Sequence, residues 1–124
     1  MNILLIEDDL TLNELITDYL KLNGNSVVSL EDGMNAIDTI NKTNFDLYII
    51  DINIPHINGL EIVKYIRQKD ISTPIIMITA SMELENFKTA YKNGCDDYIK
   101  KPFYLEELEI RIDKLLSKKS NGNS

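Results

Sequence analysis

Four short apolar runs in this chain each end in residues that can do chemistry. Glu7, Asp8 and Asp9 follow Ile3-Leu4-Leu5-Ile6, and Asp51 follows Leu47-Tyr48-Ile49-Ile50. Thr79 follows Ile75-Ile76-Met77-Ile78, and Lys100 and Lys101 follow Tyr98-Ile99. Clustered carboxylates resist joint ionisation, and a divalent cation removes that penalty. Hard oxygen donors with room left for water suit Mg²⁺. A Lys and a Thr beside such a site can hold the other oxygens of a phosphoryl group. A carboxylate among them can act as a nucleophile and become an acyl phosphate. The residues therefore point to Mg²⁺-dependent phosphoryl transfer onto an aspartate. Taken singly, each also reads as a helix cap or a turn former, Asp9 above all, and Asp51 ahead of Pro55 and Gly59. Chemistry is favoured by their joint occurrence.

That convergence requires the runs to be parallel strands, because ligands of open α/β sheets bind outside the carboxyl ends of the strands. The rest of the pattern supplies the crossovers. Leu12, Leu15, Ile16, Tyr19 and Leu20 recur at helical spacing, with Asp9 as candidate N-cap and Gly24 just past the end. Val27-Val28 reads as a second strand, and Met34, Ala36, Ile37 and Ile40 as a short helix. Leu60, Ile62, Val63 and Ile66 form the next helix. Leu84, Phe87, Ala90 and Tyr91 share a helical face stopped by Gly94, and Leu105, Leu108, Ile112, Leu115 and Leu116 form the last helix. The order is β-α five times, which predicts an α/β fold: a doubly wound five-stranded parallel sheet covered on both faces.

Composition sets outer limits. The 124 residues suffice for one domain. Hydrophobic residues make up 44% and charged residues 27%, an ordinary globular mixture. Thirteen Lys and Arg against twenty Asp and Glu give a formal charge of −7, which disfavours direct binding to nucleic acid or anionic lipid. No apolar run approaches the ~20 residues of a membrane span, and Met1-Asn2-Ile3-Leu4 lacks a signal peptide's basic region. The single Cys95 excludes an internal disulfide and a cysteine zinc site. A cytoplasmic protein is expected. Residues 1–117 read as the domain. Residues 118–124, polar and without periodicity, read as a tail or the start of a linker.

The chain resembles the receiver domain of two-component response regulators from Asn2 to about Ser117. The resemblance rests on four blocks in order. They are Ile3-Leu4-Leu5-Ile6-Glu7-Asp8-Asp9, Asp46 to Pro55 with Gly59 and Leu60, Pro74 to Ala80, and Gly94 to Phe103. The last block, running on through Leu105, Glu107, Leu108 and Arg111, is most similar to the OmpR/PhoB branch, in which a winged-helix DNA-binding domain follows the receiver. The resemblance implies a flavodoxin-like (βα)5 fold with strand order 2-1-3-4-5. It implies Asp51 as phosphoacceptor for a sensor histidine kinase. Asp8 would ligate Mg²⁺ directly, Glu7 mainly through water, Asp51 by its carboxylate and Asn53 by its backbone carbonyl. Lys101 would contact the phosphoryl group, Thr79 and the Ala80 N–H would hydrogen-bond to it, and Tyr98 would rotate inward as a switch. The Lys101-Pro102 bond is expected to be cis. The implied output is a homodimer formed through the fourth helix, fifth strand and fifth helix, with DNA contacted only by an effector domain not in this chain. Catalysis beyond Mg²⁺-dependent self-phosphorylation and autodephosphorylation is not expected.

The chain departs from the branch in its fourth helix. Where the branch has a basic residue that pairs with a glutamate, here Glu107, this chain has Phe87. Phe87 is expected to join Leu84 and Tyr91 in the core, against the alternative of an exposed contact in an altered dimer interface. Asp97 and Arg111 are expected to pair. His56 reads as an exposed loop residue, and Cys95 as a small buried one. Asn53 and Ser81 occupy positions that tune acyl-phosphate hydrolysis in the family. Three other functions are weighed. An aspartyl-phosphate phosphatase would want an aspartate where Asn53 stands. Glu7-Asp8-Asp9 would repel a flavin phosphate. A phosphorylation-independent (atypical) receiver would keep the fold without the switch.

Overall fold

A computed structural model describes residues 1–80 and 83–122, with side chains described as far as 118. Five strands alternate with five helices: β1 (Asn2–Ile6), α1 (Leu10–Leu22), β2 (Ser26–Leu30), α2 (Ala36–Lys42), β3 (Leu47–Asp51), α3 (Gly59–Lys69), β4 (Ile75–Thr79), α4 (Leu84–Asn93), β5 (Asp97–Lys100) and α5 (Leu105–Gly122). The strands pair in the order β2-β1-β3-β4-β5, all parallel. The doubly wound sheet and strand order expected from the sequence are those observed.

The central strands are buried on both faces, as their continuous branched runs require. Alternate residues feed two cores. Leu4, Ile6, Tyr48, Ile50, Ile75 and Met77 pack with Ile62, Val63 and Ile66 of α3 and Ala90 of α4. Ile3, Leu5, Leu47, Ile49, Ile76, Ile78 and Ile99 pack with Ile16 and Leu20 of α1 and Leu108 and Ile112 of α5. The period-two alternation of a strand thus divides each run between helices on opposite sides of the sheet.

Local chemistry sets several element ends. The Asp9 carboxylate accepts from the Leu12 N–H and caps α1, and Asn58 caps α3 by accepting from the Leu60 N–H. Gly94 ends α4 in the left-handed region at φ 113. The Lys101-Pro102 bond is cis, as expected.

Three expectations are corrected. Met34 precedes α2 and is 60% exposed, because that helix starts only at Ala36. Residues 118–122, expected as a tail or the start of a linker, continue the last helix, which runs to Gly122. Phe87 does not enter the core: with Leu84 and Tyr91 it forms an exposed face of α4, where only Ala90 is fully buried. Fewer than three turns of apolar spacing do not tell which stripe of a helix meets the sheet, and Ala90 is the residue buried there.

Gly59 makes the tightest backbone contact near the end of β3. A Cβ there would stand 2.2 Å from the Asp51 carbonyl oxygen and 2.9 Å from Ile52 Cα. The Gly59 N–H already donates to the Ile52 carbonyl at 2.9 Å, folding the loop back onto the strand end. Gly59→Ala is expected to lower the unfolding free energy by roughly 1–3 kcal/mol through overpacking, read from the midpoint of a urea titration at unchanged slope.

Candidate functional site

The parallel register brings the strand ends together. Ile6 pairs with Ile50 across β1 and β3, and Asp51 pairs with Ile78 across β3 and β4, so Glu7, Asp51 and Thr79 emerge side by side. The Lys101 N–H donates to the Thr79 carbonyl at 2.7 Å, which fixes the start of the β5–α5 connection over the same edge. Asn13 of α1, which the sequence reading did not single out, secures the other flank. Its buried amide donates to the carbonyls of Glu7 at 3.0 Å and Leu30 at 3.2 Å. Its place in an otherwise regular amphipathic helix is a faint signal, since Asn at a core-facing position has to be hydrogen-bonded.

The site is held by one cation between two buried carboxylates. Lys101 Nζ lies 2.8 Å from Asp51 Oδ2 and 2.7 Å from Glu7 Oε1. It is directed for a hydrogen bond only at Asp51, so Glu7 Oε1 remains a fully buried oxygen without a directed donor. The other oxygens are engaged: Glu7 Oε2 accepts from the Asp9 N–H at 3.0 Å and Asp51 Oδ1 from the Asn53 N–H at 3.1 Å. Burial pushes the Glu7 carboxyl up to about 7, outweighing the lowering effects of Lys101 and the Asp9 N–H, with Asp51 adding to the rise. Lys101 loses some basicity to burial but gains more from its two carboxylate partners, and its ammonium form is favoured.

These residues fit a divalent cation. Glu7, Asp8 and Asp51 each offer a carboxylate oxygen within 4.8 Å of the others, with Asp8 exposed. Three carboxylates against one ammonium leave two negative charges uncompensated when all are ionised. All the donors are hard oxygens, and the unengaged Glu7 oxygen is the kind of atom that a metal-bound water or a metal would satisfy.

Of the remaining candidates, Thr79 is fully buried and Ala80 exposed at the end of β4. Tyr98, expected to move inward, is already buried at 8% exposure. Burial raises its phenol, while a hydrogen bond with the Thr79 side chain pulls the other way. Asn53 is exposed beside Asp51, and Ser81 lies outside the described residues. Cys95 is buried, and His56 is half exposed with φ 73, its Nε2 4.0 Å from Asp32. Arg111 pairs with Asp97 at 2.8 Å and with Glu107 at 3.3 Å. A surface groove of about 810 Å³ lies away from the carboxylates, along α5 between Asp97, Tyr104, Ile110 and Arg111. We assign the chemistry to the shallow acidic edge, because a phosphoryl group needs charge and donors more than enclosure. No helix among the described residues is long and apolar enough to cross a membrane.

Comparison with known proteins agrees with this geometry. The family model described as response regulator receiver domain matches residues 3–113. The chain is 44% identical over 115 residues to the response regulator ArlR of Staphylococcus epidermidis, covering 93% of this chain and 52% of that one. It is 37% identical over 123 residues to the transcriptional regulatory protein CiaR of Streptococcus pneumoniae, covering 99% of this chain and 54% of that one. The chain thus spans about half the length of these curated relatives. The structure of the response regulator protein TrrA from Thermotoga maritima in complex with Mg²⁺-BeF superposes with a TM-score of 0.82 at 32% identity, covering 92% of this chain and 97% of that one.

The buried acid generates a pH signature. With its carboxyl raised in the folded state from 4.5 to about 7, Glu7 binds more protons folded than unfolded between those values. In chelator-treated protein, stability is therefore expected to fall as pH rises from about 4.5 to 7. Glu7→Gln should flatten that decline, as measured by urea unfolding across the pH range.

Proposed function

This chain belongs to the response regulator receiver domain family, and from that premise we propose that it accepts a phosphoryl group on Asp51 from a sensor histidine kinase. The single observation that carries the reading is the Lys101 ammonium held between Asp51 and Glu7 at the carboxyl edge of the sheet.

Asp51 is the nucleophile. Its carboxylate oxygen forms a bond to phosphorus as the bond from phosphorus to the donor's imidazole nitrogen breaks. Lys101, already 2.8 Å from Asp51, turns to the incoming phosphoryl oxygens and offsets the charge that gathers there. The Thr79 hydroxyl and the Ala80 N–H donate to the same oxygens, and Tyr98 closes behind Thr79. Asp8, Asp51, the Asn53 carbonyl and, through water, Glu7 would hold Mg²⁺, which would supply positive charge to offset that of the phosphoryl oxygens. The chemistry acts on the chain itself: phosphorylation and its slow reversal by water, with no small-molecule turnover.

The output proposed is homodimerisation through the α4–β5–α5 face, coupled to a separate DNA-binding effector domain. In their printed names ArlR is a response regulator and CiaR a transcriptional regulatory protein, which supports a transcriptional output. The exposed apolar row on α4 and the Asp97–Arg111–Glu107 ion pairs suit such a face. A phosphorylation-independent receiver is the second reading, favoured only by the loss of the basic residue at position 87.

Acetyl phosphate with Mg²⁺ is expected to add one phosphoryl group, seen as intact mass, and to shift the chain towards dimer on size exclusion. Asp51→Ala should abolish both, and Lys101→Ala should slow the addition by about 100-fold, the usual loss for one charge-stabilising donor. Mg²⁺ alone, at a hundred times its Kd, should raise stability by about 2.7 kcal/mol, and Asp8→Asn should remove that gain. A chain that takes up no phosphoryl group and stays monomeric would favour the second reading.

A further inference from the structure

Tyr98 lies on β5, an edge strand of the sheet, yet it is only 8% exposed. An aromatic row leads to it from α4. The Phe87 ring stands edge-on to Tyr98, with centroids 5.4 Å apart and planes at 71°. Phe87 in turn leans on Tyr91, one helical turn further on, at 5.0 Å and 57°. At the inner end of the row the Tyr98 phenol meets the Thr79 hydroxyl. Phe87 itself is 41% exposed, so its own burial does not account for its placement. Edge-to-face rings attract beyond the area they bury, because the positive edge of one meets the negative face of the other.

We propose that Phe87 is a positioning residue that clamps Tyr98 inward against Thr79 before any phosphoryl group arrives. An ammonium or guanidinium at this position would be drawn out to water or to Glu107, leaving the outer side of Tyr98 uncovered. The aromatic ring supplies that cover from a rigid helix instead. The Thr79 hydroxyl is then held by Tyr98 at the end of β4, next to the strand that carries Asp51. Part of the rearrangement that phosphorylation would have to drive is already in place, so the clamp biases the two-state element towards its inward form. The existence of the clamp stands on the ring geometry and on the hydrogen bond between Tyr98 and Thr79. Its effect on the reaction rests on the receiver reading above.

The test uses the full chain carrying 3-fluorotyrosine, kept dilute enough to be monomeric, with the Tyr98 fluorine resonance assigned by Tyr98→Phe. In the unmodified protein the resonance should be single and insensitive to exchange of H₂O for D₂O. Phe87→Ala and Phe87→Lys should raise the outward, solvent-sensitive population relative to the inward one by roughly 2- to 10-fold, the Boltzmann factor of one aromatic pair. Both should slow phosphorylation by acetyl phosphate and Mg²⁺ by a comparable factor, without changing Mg²⁺ affinity. Phe87→Tyr, which keeps the ring, should restore both readouts, and Phe87→Leu, which keeps bulk without a ring, should not. An unchanged Tyr98 resonance in Phe87→Ala and Phe87→Leu overturns the clamp, as does full rescue by Leu. A parent chain that takes no phosphoryl group overturns the receiver reading, while the fluorine measurement still decides the clamp.

Discussion

One lysine holds the acidic edge of this molecule together. Lys101 spans Glu7 and Asp51, two carboxylates that the hydrophobic strands carry out of water and into one another's field. Without a cation between them the two could not both be ionised, and even with Lys101 in place burial raises the pKa of the Glu7 carboxyl. The arrangement is under-neutralised by construction, since a third carboxylate, Asp8, stands beside the pair. A site of this kind is unstable alone and improved by an added divalent charge, which suits a surface that must bind and release ligands.

The scaffold tolerates this because its remaining backbone is tightly constrained. Asn13 ties the end of β1 to the end of β2, the Lys101 N–H is bonded to the Thr79 carbonyl, and Gly59 lets the next loop fold back onto Asp51. The charged groups sit on the ends of strands rather than on long loops, so their separations follow from strand register. Two cores, one on each face of the sheet, keep that register rigid.

The α4–β5–α5 face has a different balance of forces on its two helices. On α5, Arg111 is shared by Asp97 and Glu107, a polar arrangement in which exposed pairs contribute only ~0–1 kcal/mol each. On α4, the basic partner expected from the resemblance is replaced by Phe87, and three rings carry contact from the surface to Tyr98. Ring packing is insensitive to salt and strongest at short range. The contacts that link α4 to β5 here are therefore aromatic rather than ionic.

Much of this was legible in the residue order. Continuous branched runs such as Ile75 to Ile78 announced buried parallel strands, Asp9 and Gly94 marked helix ends, and the carboxylates, Thr79 and Lys101 fell at the strand ends where a doubly wound sheet places its ligands. Period-two and period-3.6 patterns are local, and local patterns survive in a linear string. Which part of the α4 face meets the sheet was not legible, because Leu84, Phe87, Ala90 and Tyr91 share the spacing of core residues and packing against the sheet buries only Ala90 of the four. Nor was the division of Lys101 between two carboxylates, the unengaged oxygen of Glu7, or the support from Asn13. Each depends on distances across residues far apart in sequence, and such distances exist only once the strands have met.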